Sequence, residues 1–388
     1  MLKVQRPAAV PVLTFAAEPR GAPPQVLRHG ADGDLALRPA GGEPMLVLHR
    51  PADVVRSLTD TTRFGMAGVT AAGALRRSPL TGAEMQSPDG GLLNMNPPQL
   101  RAYRRRINGL FTQRAAAATG PAIQALTAHL TAALTPHHTA DALAAFAEPF
   151  TAGAVCEAMG IPRGDWEQIL EYSRVAFAVV PSPDAIGDVA AAWDDLYGYY
   201  EPMVAAKRAR PDGALTSRLT AALDGFTTAQ IAHTIATVSN GFGAILPVLA
   251  VALAEVARRP RIIAACQRDE QSWASVAEWL LRSRAMFPVA LPRIALADTW
   301  LGGRPIREGT TVLPSLIAAA HDPAGAPCSI AFGAGPHFCP GAALTRVWLA
   351  SALAGFFGTF PAARLADSGL DWQQGTLSVP REITLALR

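Results

Sequence analysis

Residues 332–341 read FGAGPHFCPG, and the apolar run AALTRVWLASALAGFFG follows them directly. The chain must therefore present one cysteine on a glycine-rich loop at the mouth of a helix, which is predicted over 341–358. Gly333, Gly335 and Gly341 permit backbone conformations closed to other residues and let amide N–H groups approach a neighbouring atom closely. That atom is the Cys339 sulfur. The positive end of a helix favours a thiolate, and a thiolate is the form that binds a soft metal. Cys156, Cys266 and Cys328 stand at no paired or C-x-x-C spacing from it, which argues against a disulfide framework and a zinc site. A single axial thiolate on a heme iron is the economical reading, and a buried structural cysteine in a glycine turn is the plain alternative.

The rest of the chain predicts one mainly α domain over 1–388. Its β-rich edge lies at about 1–60, with strand-like pieces such as Met45-Leu46-Val47-Leu48, and at 289–318 around a Gly-Gly turn. Between them a helical body runs over about 97–286. Prolines 97 and 98 suit a helix start. Helices are then expected at 113–135, 139–160, 165–179, 186–209, 227–258 and 271–286, and a β-rich tail closes the chain. No internal repeat or low-complexity linker divides these parts.

Half of the residues are apolar, enough for a large core, while the formal charge is only +3 and dispersed. Nucleic acid is therefore not an expected partner, and a small molecule is. The first residues make a poor signal peptide, and the run from Phe242 to Ala254 is short for a membrane span and contains Pro247. The expected compartment is the cytoplasm, without a membrane partner.

Phe-Gly-x-Gly-x-His-x-Cys-x-Gly resembles the heme-ligand loop of the cytochrome P450 superfamily, and every fixed position of it is filled here. The resemblance implies that Cys339 is the proximal ligand of a heme b iron, that Phe332 packs on the heme, and that His337 approaches a propionate. MNPPQLRAYRRRINGLFTQR is similar to the family's helix C, with Arg104 at a propionate-binding arginine and Leu100 where a histidine usually stands. PVALPRIALADTWLGGRPI is similar to the segment after helix K and puts Arg293 at another propionate arginine. An arginine matches a carboxylate in a bidentate fork, although either residue could instead lie on a solvated face. The basic cluster Arg101, Arg104, Arg105 and Arg106 could attract an acidic, ferredoxin-type redox partner, or be a solvated helix face.

Three departures from the family follow. In helix I the resemblance expects an acid and an alcohol that relay protons. Anchoring TIATVSNGFGAILPVLAVALAEVARRP on its final Arg-Arg-Pro puts Gly243 and Ala244 at those positions, and no carboxylate occurs between Asp224 and Glu255. Pro247 cannot donate to the Gly243 carbonyl, so the helix should kink or open there. Asn240, if turned inward, could bind substrate or water. Second, Trp279 stands at the glutamate of the family's Glu-x-x-Arg pair; Glu278 is four residues from Arg282, which is expected to be exposed or paired anew. Third, only AGAPCSIA separates the His321-Asp322-Pro323 turn from Phe332, where the family inserts a long meander.

An intact cysteine loop beside a missing proton relay points to a heme-thiolate enzyme of specialised metabolism acting on a small, apolar substrate. Its chemistry would be substrate-assisted oxidation, peroxide use or a redox-neutral rearrangement. The alternatives are an ordinary ferredoxin-dependent monooxygenase and a non-catalytic accessory partner of another biosynthetic enzyme. Candidate distal residues are Asn240, Gly243 and Ala244, with Phe242, Val289, Ala290 and Leu291 as further substrate contacts.

Overall fold

The computed structural model describes residues 36–37, 45–66, 91–176, 184–283, 289–320, 322, 330–366, 370–371 and 380–388. The expected β-rich start over 1–35, Cys328 and most of the short AGAPCSIA segment lie outside the described residues, as do the side-chain surroundings of Phe242 and Gly243.

Helices dominate the described chain. The first are α1 (Pro51–Thr59), α2 (Gly91–Asn94), α3 (Gln99–Ile107), α4 (Gln113–Ala117) and α5 (Gly120–Leu134). Then come α6 (Glu148–Met159), α7 (Trp166–Ala176), α8 (Asp184–Ala209), α9 (Leu215–Ala222), α10 (Thr228–Gly243) and α11 (Ile245–Ala257). The last are α12 (Pro260–Arg268), α13 (Ser272–Ser283), α14 (Leu316–Ala320) and α15 (Ala342–Thr359). Pro98 caps α3, where its missing N–H leaves no intrahelical bond unmade. The helix expected over 113–135 is two, because Pro121 in the first turn of α5 cannot bond back into α4.

A five-stranded sheet has the order β1 (Ala36–Leu37), β2 (Met45–Leu48), β8 (Thr311–Pro314), β5 (Arg293–Ala295), β3 (Phe64–Met66). Only β2 and β8 run parallel, Leu46 opposite Val312. Leu316, read within the strand region, instead opens α14. The hairpin of β6 (Thr299–Leu301) and β7 (Arg304–Ile306) turns on Gly302 and Gly303, both at positive φ (54° and 80°), a pairing that matches strand twist. Residues 139–141, expected to be helical, form β4 (Thr139–Asp141), which pairs with β10 (Thr384–Ala386); β9 (Arg364–Leu365) completes that sheet. Asp141 Oδ1 accepts from the amides of Leu143 and Ile383, both at 2.9 Å, and so ends one strand while aligning the other.

The main core forms around α15, which packs on α5, α13, α4 and α11. Trp348, Phe356 and Phe357 of α15 are fully buried beside Phe146 and Phe150. Trp348 Nε1 donates to Thr119 Oγ1 at 2.8 Å, satisfying its one polar atom. The stretch Thr228–Ala257 and helix α15 are long and apolar enough to cross a membrane by length and composition, but 75% and 50% of those windows are buried within the protein. Their apolarity serves the core.

Candidate active site

The cysteine loop is held at both ends by its own backbone. Gly333 N–H donates to the Ile330 carbonyl at 2.8 Å, and Cys339 N–H to the Phe332 carbonyl at 3.0 Å. Gly333 (φ 73°) and Gly335 (φ 71°) occupy the left-handed region, which accounts for glycine at both. Space demands it as well at Gly335, where a Cβ would collide with the Leu58 carbonyl oxygen of α1. Gly341 departs from expectation: at φ −74° and ψ 1° its backbone is ordinary, and it serves as the residue before α15. Its carbonyl accepts from the Thr345 amide at 2.9 Å, and its own N–H points at the Cys339 sulfur.

Burial pushes the Cys339 thiol up, while the Gly341 and Ala342 amides and the charges of Arg104 and Arg346 pull it down. The sulfur is therefore costly to ionise alone yet surrounded by groups that favour its anion. Cys156 differs, since burial pushes it to about 12 and nearby carboxylates add to the shift.

Three cationic or cation-forming residues converge beside the loop. Arg293, 4% exposed at the start of β5, is pushed down to about 10 by desolvation. Its Nη1 donates to the Leu291 carbonyl at 2.6 Å, and no carboxylate among the described residues pairs with it. Arg104 on α3 donates from Nε to Asn108 Oδ1 at 3.0 Å and feels Cys339 electrostatically. His337 is driven down to about 3 by burial and by the fields of Arg293 and Arg104, and it shares a hydrogen bond with the Met95 backbone. Its Nε2 is buried without a partner among the described residues. A buried arginine without an anion and an orphaned imidazole nitrogen are the features a pair of bound carboxylates would satisfy, so the residues present fit a heme.

Arg282 is exposed. Glu278 instead meets Arg346 of α15, Nε to Oε2 at 2.7 Å, and the same guanidinium sits 4.6 Å from the Phe332 ring centroid. Arg346 joins the site although the pattern of the chain did not single it out. The available signal was a cation in the first turns of a helix, where the dipole disfavours it.

On the other side, the long helix expected over 227–258 is interrupted between Gly243 and Ile245, at the carbonyl that Pro247 leaves unbonded. Ala244 is buried at the interruption and its N–H bonds the Gly241 carbonyl at 3.3 Å. Asn240 is 0% exposed, and neither its Nδ2 nor its Oδ1 finds a partner among the described residues. Val289 bridges to Ser315 and packs on Met45, Val47 and Leu313, Ala290 leans on the sheet cluster, and Leu291 is exposed.

A cysteine at a helix start, amides on its sulfur and anion-seeking cations around it are compatible with a heme-thiolate centre. No protein-family model matches the chain. It is 30% identical over 300 residues, covering 74% of this chain and 73% of the relative, to cytochrome P450-SU2 of Streptomyces griseolus. It is 28% identical over 371 residues, 88% and 89% of the two chains, to the mycinamicin IV hydroxylase/epoxidase of Micromonospora griseorubida. Among solved structures, the putative thioether synthase SgvP, involved in tailoring griseoviridin, matches with a TM-score of 0.80 at 28% identity over 92% of this chain and 93% of that one. The chain belongs to the cytochrome P450 superfamily. It is an oxidoreductase whose cofactor is a heme with thiolate-ligated iron.

Proposed function

We propose that Cys339 is the axial ligand, that Arg104, Arg293 and His337 hold the heme propionates, and that the enzyme transforms a small, largely apolar specialised metabolite without a proton relay of its own in helix α10. The heme, when bound, supplies one-electron and oxygen chemistry. Phe332, under the Arg346 guanidinium, would pack on its face, and Gly333, Gly335 and Gly341 let the loop approach it. Tailoring of secondary metabolites is the setting suggested by relatives such as the mycinamicin hydroxylase/epoxidase and nocardicin C N-oxygenase, and a cytoplasmic location accords with it.

One observation carries the reading. At the interruption of α10 and α11, Gly243 and Ala244 offer no group that can hold or pass a proton, and no carboxylate lies between Asp224 and Glu255. Any proton delivered there must come from the substrate or from water. Substrate-assisted oxidation, peroxide use and redox-neutral rearrangement all meet that condition. Val289, Ala290 and Leu291 would border the substrate from the sheet side.

A second reading, a ferredoxin-dependent monooxygenase, draws on α3, where Arg101, Arg105 and Arg106 are exposed and could meet an acidic partner. The absorption spectrum of the purified protein, ferric and then reduced under carbon monoxide, tests the ligand. A thiolate–carbonyl band that disappears in Cys339→Ser supports it; a heme-free protein after reconstitution returns the accessory-partner role. Product yield with peroxide against ferredoxin and oxygen then separates the two enzymatic readings.

A further inference from the structure

Two consecutive residues of α13 each meet a guanidinium from a different element. Glu278 accepts from Nε of Arg346 on α15 at 2.7 Å, and the Trp279 ring faces Arg259, whose guanidinium carbon lies 5.3 Å from the ring centroid, between α11 and α12. Trp279 stands where the resemblance expects the glutamate of the Glu-x-x-Arg pair, and Arg282, the other member of that pair, is exposed. An aromatic ring left 37% exposed contributes less burial than one in the core. What Trp279 does is therefore read from its partner.

That partner is fixed. Glu255 of α11 is 3% exposed, and its carboxylate accepts from Arg259 Nη1 at 2.5 Å and from Arg258 Nη1 at 3.3 Å, while its carbonyl accepts from Arg259 Nη1 at 2.7 Å. A buried carboxylate holds its cations tightly, because releasing one leaves an uncompensated charge. The planar guanidinium thus stays in place and offers its face to the indole. Helix α13 packs on α15 and α11, and its buried stripe is Trp273, Ala277, Leu280 and Leu281. Apolar burial has no direction of its own, so this stripe leaves the rotation of the helix about its axis loosely set. Glu278 and Trp279 leave the stripe on opposite flanks, and a roll either way draws one of them off its guanidinium.

We infer that Trp279 is a positioning residue of the heme-thiolate centre: stacked on Arg259, it sets the rotation of α13 at which Glu278 holds Arg346 beside the cysteine loop. Arg346 is the group that acts. Its guanidinium lies 4.6 Å from the Phe332 ring centroid, its Nη1 reaches the Ala342 carbonyl at 3.4 Å, and its charge favours the Cys339 anion. The inference rests on the heme-thiolate reading above and adds to it a residue that tunes the centre through two others.

Spectroelectrochemical titration of the heme-loaded full chain tests it. Trp279→Ala is expected to make the reduction potential more negative, in the direction of Arg346→Gln but by less, because the positive charge moves off the sulfur. Arg259→Lys keeps the charge beside Glu255 and loses the planar face, and is expected to give the same shift. Trp279→Phe keeps a ring and is expected to restore the wild-type value. Trp279→Ala combined with Arg346→Gln is expected to shift no further than Arg346→Gln alone. An unchanged potential in Trp279→Ala, or shifts that add in the double variant, would overturn the inference and leave Trp279 a packing residue. Should Trp279→Ala fail to fold, Arg259→Lys, alone and combined with Arg346→Gln, decides it. The reduced carbonyl spectrum of the wild type reports on the heme separately. Without its thiolate band the heme-thiolate reading falls, and hydrogen exchange over 332–346 in the heme-free protein then decides whether Trp279 holds the loop. Faster exchange in Trp279→Ala than in Trp279→Phe upholds that role, and equal exchange overturns it.

Discussion

Arg346 on α15 donates from Nε to Oε2 of Glu278 on α13 at 2.7 Å, so the two helices behind the cysteine loop are joined by an ion pair that crosses between them. Its guanidinium also lies against Phe332 and within the field of Cys339. Both partners are about one-third exposed (34% and 35%), so solvent screens the pair. Glu278→Gln is expected to lower unfolding stability by no more than about 1 kcal/mol. Arg346→Gln also removes a positive charge near the sulfur, and is expected to make the heme reduction potential more negative. Spectroelectrochemical titration checks this, and an unchanged potential would remove Arg346 from the site.

Gly335 and Gly241 make a contrasting pair. Gly335→Ala meets a positive φ and the Leu58 carbonyl together, and is expected to cost about 2–4 kcal/mol and to impair heme uptake. Gly241→Ala has open space in a helix, and is expected to gain about 1 kcal/mol from helix propensity. Chemical denaturation of both variants, with heme content measured alongside, tests the difference in sign.

Arg293→Leu should act oppositely on the two forms of the protein. Without heme, removing a charge that is 4% exposed and bonded only to carbonyls is expected to leave stability unchanged or higher. With heme, losing a propionate partner is expected to speed heme transfer to an acceptor protein. Transfer rates of wild type and variant measured side by side would show it, and equal rates would refute the propionate assignment.

His337 sets an acid limit on the heme-free protein. Its folded pKa, about 3, lies below its ordinary value of 6.5, so the unfolded chain takes up the proton first as pH falls. The contribution is full above about 6.5 and declines by about 1.4 kcal/mol per pH unit toward pH 3. His337→Gln is expected to flatten that part of the stability–pH curve. Carboxylates bound beside the ring would oppose the shift, so the heme-loaded protein should show the shallower slope.

What could be read from the chain was local. The strand at Met45–Leu48, the glycines at 333 and 335 and the disruption next to Pro247 each follow from a few adjacent residues, and the structure has all three. Thr139–Asp141 could not be read that way, because its strand exists only through pairing with Thr384–Ala386 at the far end of the chain. The Glu278–Arg346 pair likewise depends on the packing of α13 against α15, and spacing within one helix could not reveal it. The orphaned amide of Asn240 is a property of three-dimensional surroundings; the residue itself was visible, its isolation was not.

The close fit of Gly335 beneath the Leu58 carbonyl joins points separated by 335 − 58 = 277 positions. A contact of that span closes a very long loop, and its entropic cost must be met before the contact yields anything in return. The turn that presents Cys339, closed by its own hydrogen bonds, is thus also packed against a helix from the opposite end of the chain. Loss of the α1 contact would therefore expose one side of that turn to solvent.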